Sequence, residues 1–145
     1  MTPKPERTAE GAVKAISLTQ PYATAMVLTP DVKRNETRSW ATKHRGPLAI
    51  HAAKGFPKWA REFAAAEYFA GTIPYPVPLS GVVGVVEVFD CVPTEEIAPH
   101  LSPIELRFGD YTPGRWAWLT KLVERFETPI PARGALGLWE WVKHD

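Results

Sequence analysis

The sequence predicts an α+β domain that is mainly β: a mixed-topology β-barrel with short helices packed around it. Three observations point there. Short apolar segments of strand length recur from Val13 to Val142, separated by turns rich in Gly and Pro. One run, residues 81–92, is apolar on both faces, as in a strand lying mid-sheet or under a helix. Only one segment, residues 56–70, carries clear helical periodicity.

Residues 13–18 read as the first strand. Thr19 is a candidate cap for a helix with Pro21 in its first turn, running through Tyr22 and Met26 to about Leu28. Residues 33–40 form a charged strand, His44 to Pro47 a turn, and 48–52 another strand. In the 56–70 helix, Phe56, Trp59, Ala60 and Phe63 recur on one face, so Trp59 is expected in the core; Gly71 stops the helix. Pro74, Pro76 and Pro78 make residues 71–80 a loop. After the 81–92 strand, Thr94 to Glu96 open an acidic helical piece, and Ser102 to Leu106 form a further turn. Three strands are expected at 115–120, 122–127 and 136–142. Residues 1–12 read as a disordered leader and 13–145 as a single domain.

At 145 residues, 45% hydrophobic and 23% charged, the chain has the composition of an ordinary globular domain. Its net charge of +1 excludes a bulk basic surface, so anion binding must come from local clustering and a small footprint. A single cysteine, Cys91, excludes an intrachain disulfide. The four histidines lack zinc-ligand spacing, so no metal and no cofactor are expected. The polar start and the absence of a long apolar stretch predict a cytoplasmic protein without a membrane contact.

The chemistry concentrates in residues 33–40. Three cations and a carboxylate precede a tryptophan, and strand alternation puts Glu36, Arg38 and Trp40 on one face. The turn before Lys33 aims it at the same place, which suits a pocket for a flat, anionic ligand. Glu87 falls on a strand face with Val85 and Phe89, so it is expected to point inward and to need a cation, Lys33 or Arg38. An internal salt bridge and a functional carboxylate are equally compatible with that position. His51 ends an apolar strand, either bonded to backbone or acting as a general base at the barrel mouth. His44 and Arg45 extend a basic rim from Lys43, and Tyr22 is a stacking candidate at a strand-to-helix corner. No nucleotide-binding glycine loop and no Ser/His/Asp order stand out.

Ile16-Ser17-Leu18-Thr19-Gln20-Pro21-Tyr22-Ala23, the Lys33-x-x-Glu36-x-Arg38-x-Trp40 signature and His44 to Ala53 resemble the ASCH (activating signal cointegrator homology) domain family. Residues 81–88 and Gly137-Leu138-Trp139 resemble its central and last strands, so the likeness spans about Val13 to Val142. Asp31 stands where the family's GxKxxExR signature has glycine. The resemblance implies a PUA-like barrel with a cleft that binds nucleic acid, RNA favoured, using Lys33, Glu36, Arg38 and Trp40, with Tyr22, His44, Arg45 and His51 around it. One branch of the family deacetylates N4-acetylcytidine with a lysine, a threonine and a central-strand glutamate. Lys33 and Glu87 match that set, but Glu36 occupies the threonine position and cannot supply a hydroxyl. The expectation is therefore a nucleic-acid-binding module that takes a single-stranded or extruded nucleotide. The alternatives are a hydrolase of a modified nucleoside or a ribonuclease using Lys33 and Glu87, and a protein-interaction domain.

Overall fold

The computed structural model describes residues 11–143. Its frame is one six-stranded sheet in the order β2-β5-β4-β3-β1-β6. The strands are β1 Ala12–Leu18, β2 Asn35–Arg38, β3 Gly46–Ala52, β4 Gly81–Pro93, β5 Trp116–Pro131 and β6 Leu138–Val142. Neighbours run antiparallel except β1 and β3, which are parallel. The sheet curls into a half-barrel, and the short helices α1 Tyr22–Met26, α2 Lys58–Phe69, α3 Thr94–Ile97 and α4 Pro103–Arg107 pack around it. This is the expected mixed, mainly β architecture, with β2 and β6 as its outer strands. Residues 1–10 of the expected leader lie outside the described residues, and Ala12 already opens β1.

Apolar side chains cover both faces of the sheet. Ile16, Leu48, Ile50, Val86 and Trp118 pack under α1, while Ala15, Ala49, Val82, Phe126 and Trp141 form a cluster of their own. Adjacent residues such as Ala15 and Ile16 enter different clusters because strand side chains alternate. A third cluster joins α1 and α2 through Ala25, Ala64 and Phe108. Among the described residues, no helix is long and apolar enough to cross a membrane.

Three elements differ from the sequence expectation. The two strands expected at 115–120 and 122–127 are one strand of 16 residues, β5. Register shifts in its pairing with β4, at Val82/Gly84, Val85/Val86 and Val88/Asp90, let the long pair bend without a break. α1 stops at Met26, and Gln20 does the capping expected of Thr19. The Gln20 Oε1 accepts the Thr24 amide at 2.9 Å, and its Nε2 donates to Thr24 Oγ1 and to the Pro78 carbonyl, each at 2.8 Å. Trp59 is 57% exposed, because α2 buries Ala60, Ala64 and Glu67 instead.

Candidate functional site

The turn after α1 carries Lys33 back under that helix, where its amide reaches the Ala25 carbonyl at 3.3 Å. Its side chain is 1% exposed, and Nζ donates to the Asn35 and Phe108 carbonyls at 2.6 Å each. The third direction meets Glu36 Oε1 at 3.5 Å, and the Tyr22 ring lies 5.8 Å away. An ammonium has three donors, so Lys33 is fully engaged by the protein. Burial pushes its pKa down, against the opposing pull of Glu36 and Glu105.

Lys33 thereby joins β2 to the segment after α4 and holds Glu36 in place. The other Glu36 oxygen accepts from Arg38 Nε at 2.7 Å. Pairing β2 with β5 in register, Glu36 opposite Trp118 and Arg38 opposite Trp116, presents both side chains to one cleft. The cleft has a volume of about 530 Å³ and runs between the β1–α1 corner, β2, the start of α2 and residues 107–115. Four of its side chains are cationic, Lys33, Arg38, Arg107 and Arg115, against the carboxylates Glu36 and Asp110.

Two aromatic rings form the apolar wall. Tyr22 stacks on Phe63 at 5.6 Å and meets Trp59 at 6.4 Å, tilted by 49°. Burial, followed by the Glu36 charge, raises the Tyr22 pKa, so its hydroxyl stays neutral. Opposite them, Thr37 Oγ1 accepts the Asp110 amide at 3.0 Å, and Arg115 Nη2 donates to the Thr37 carbonyl at 3.3 Å. Arg107 is tied to Glu67 Oε1 at 2.9 Å. Arg38 differs from these: among the described residues its terminal Nη atoms have no protein partner, and only Nε is engaged. The site can therefore offer a bidentate guanidinium beside an aromatic wall.

The cleft lining includes Tyr22, Lys33, Glu36 and Arg38, and it omits the other sequence candidates. Glu87 corrects the sequence reading. It is exposed, opposite Pro47 and Lys121, and does not line the cleft. Val83 is the bulged residue of β4, so Val83, Val86 and Val88 all turn into the core under α1, while Glu87 shares the outer face with Val85 and Phe89 and is exposed there. The carboxylates that act on Lys33 are Glu36 and Glu105. Trp40 lies beyond β2 and packs edge-on against Trp118 at 4.8 Å. His44 bonds the Pro47 carbonyl, and Arg45 reaches Asp90 and the carbonyls of Thr42 and His44. These serve the 41–47 turn, away from the cleft lining. His51 lines a separate cavity.

Sequence reasoning missed Arg107, Asp110 and Arg115. The density of charge and glycine in Arg107-Phe108-Gly109-Asp110, with Arg115 shortly after, was a usable signal, but nothing local assigned it to β2.

A half-barrel of PUA-like architecture, with a charged, aromatic-walled cleft at one edge of its sheet, defines the class of this protein. The chain belongs to the ASCH domain family, whose model matches residues 16–130. It is similar to the crystal structure of the ASCH protein of Zymomonas mobilis, with a TM-score of 0.49 at 19% identity, covering 81% of this chain and 72% of that one. A mutant of the same Zymomonas protein gives a TM-score of 0.49 at 19% identity, covering 81% of this chain and 74% of that one. No curated protein matches the chain significantly.

Proposed function

We propose that the chain is a nucleic-acid-binding module that takes one single-stranded or extruded nucleotide into the cleft. The observation that carries this reading is Arg38, whose Nη edge has no partner among the described residues and faces a nucleotide-sized cleft walled by Tyr22 and Trp59. An aromatic wall accepts the π-face of any base, and guanidinium groups meet phosphate or base edges. RNA is favoured over DNA on the family expectation, and the hydroxyls of Ser17, Thr19 and Thr37 along the lining give a 2′-OH partners to meet.

The hydrolase reading has less support. Lys33 has its protons committed to two backbone carbonyls and Glu36, and Glu87 is outside the cleft. The test is fluorescence anisotropy with short single-stranded RNA, single-stranded DNA and duplex RNA, for wild type, Arg38→Gln and Trp59→Ala. Single-stranded RNA should bind most tightly, with each variant weakening it about tenfold or more at unchanged melting temperature. Equal affinity across all three proteins would remove the cleft from the explanation.

A further inference from the structure

The parallel pairing of β1 and β3 sets Ser17 directly opposite His51. Ser17 Oγ lies 2.9 Å from His51 Nδ1, and His51 Nε2 lies 2.7 Å from the Ala132 carbonyl oxygen. A carbonyl only accepts, so Nε2 carries the hydrogen, and Nδ1 of the neutral ring offers its lone pair to the serine hydroxyl. Trp139 Nε1 donates to the same Oγ at 3.2 Å. That bond uses one of the two oxygen lone pairs and leaves the other open. Ser17 is half-buried and lines both the charged cleft and a second cavity of about 900 Å³.

The second cavity is mainly apolar, with Ala53, Ala132, Ala135 and Leu136 in its wall and Lys54 and Arg133 as its cations. Gly134 lies against Ser17 Oγ and the His51 ring, so closely that a Cβ there would collide with both. Among the described residues, the backbone amides of Gly134 and Ala135 have no hydrogen-bond partner. A nucleophile, a base in the correct tautomer, a group that orients the base and unengaged amide donors therefore meet at one wall.

We propose that Ser17 and His51 form a second, acyl-transfer site that acts on small esters with a short apolar acyl group. Ser17 Oγ attacks the acyl carbon while its proton moves to His51 Nδ1. The tetrahedral adduct collapses by breaking the bond to the leaving oxygen, which takes that proton from His51. Water then attacks the acyl-serine, giving a proton to His51. Release of the carboxylic acid returns that proton to Ser17. Gly134 packs against the hydroxyl, and in this scheme the amides of the 134–135 loop would supply the donors for the developing oxyanion. Lys54 and Arg133 suit a leaving alcohol that carries a negatively charged substituent.

The test treats the full chain with a fluorophosphonate probe and follows hydrolysis of p-nitrophenyl butyrate, with melting temperatures recorded in parallel. The expected result is a probe adduct mapped to the Ser17 peptide by mass spectrometry. Ser17→Ala should abolish labelling and turnover, and His51→Gln should slow both about 100-fold or more. A folded wild type that takes no label, or label that survives Ser17→Ala, overturns the proposal. So does a lowered melting temperature of Ser17→Ala with no labelling of wild type, the outcome expected if the pair only anchors the loop. Oligonucleotide binding in the charged cleft is read by a separate assay, so either site can fail without the other.

Discussion

Lys33 shows how burial changes the meaning of a charged residue. A lysine 1% exposed, bonded to two carbonyls and a carboxylate, braces the cleft floor. Lys33→Met leaves those carbonyls unmet and Glu36 Oε1 without its cation, with Arg38 on the other oxygen alone. The expected loss is about 3–5 kcal/mol of stability, measured by urea denaturation. Loss of binding in such a variant would therefore report a loosened floor as readily as a lost contact. Glu105 sits on the other side of the same lysine. Burial holds its carboxyl above the ordinary range, against the Arg34 amide and Lys33, and its Oε2 has no partner among the described residues. The folded state therefore binds this proton more tightly than the unfolded chain. The stability it contributes is full below the unfolded value of 4.5 and is lost as pH rises through the folded pKa. Glu105→Gln keeps an acceptor for the Arg34 amide, now at 2.7 Å from Oε1, and removes the titration. Its urea midpoint should vary less between about pH 4.5 and neutrality than that of wild type. An equal slope in both proteins would locate the pH dependence elsewhere. Glu87→Gln, on the exposed face of β4, should leave both melting temperature and RNA binding unchanged, and a loss of binding would return that carboxylate to the site.

At the level of elements, the bulged β4–β5 pair decides which way side chains point. Gly84 sits where the register shifts, and a Cβ there would meet the Glu124 carbonyl and the Val27 side chain of α1. Gly84→Ala should cost about 1–3 kcal/mol in urea denaturation, because neither backbone nor a buried valine can give way freely. A neutral result would mean that the bulge relaxes. Glu87 does share a strand face with Val85 and Phe89, as alternation predicts, but that face of β4 is exposed at Glu87 and Phe89. Trp59 was misplaced for a related reason. Its helical periodicity was real, but α2 is short and docks on Ala60, Ala64 and Glu67, so the ring at its first turn turns to the cleft instead. In both cases the local pattern was correct and the packing partner chose the face.

For the whole molecule, a net charge of +1 limits how strongly nucleic acid can be held by its backbone. Among the described residues, Arg38, Arg107 and Arg115 are the cleft cations not buried as Lys33 is, and each is already paired with a carboxylate. With at most three phosphates neutralised, log K against log salt should have a slope no steeper than about −2 for single-stranded RNA. A slope several times steeper would place the main contact on a broader surface.

The sequence by itself determined the α+β class, most strand positions, and the grouping of Lys33, Glu36 and Arg38. These follow from local alternation, turn residues and spacing along one strand, which neighbouring residues fix. Only the tertiary structure decided that Glu87 faces outward, that Arg107 and Arg115 complete the cleft, and that Ser17 meets His51. Those outcomes depend on bulges, on the parallel β1–β3 pairing and on the α4–β5 loop that lies against β2. They join residues tens of positions apart, and no local pattern carries the register between them.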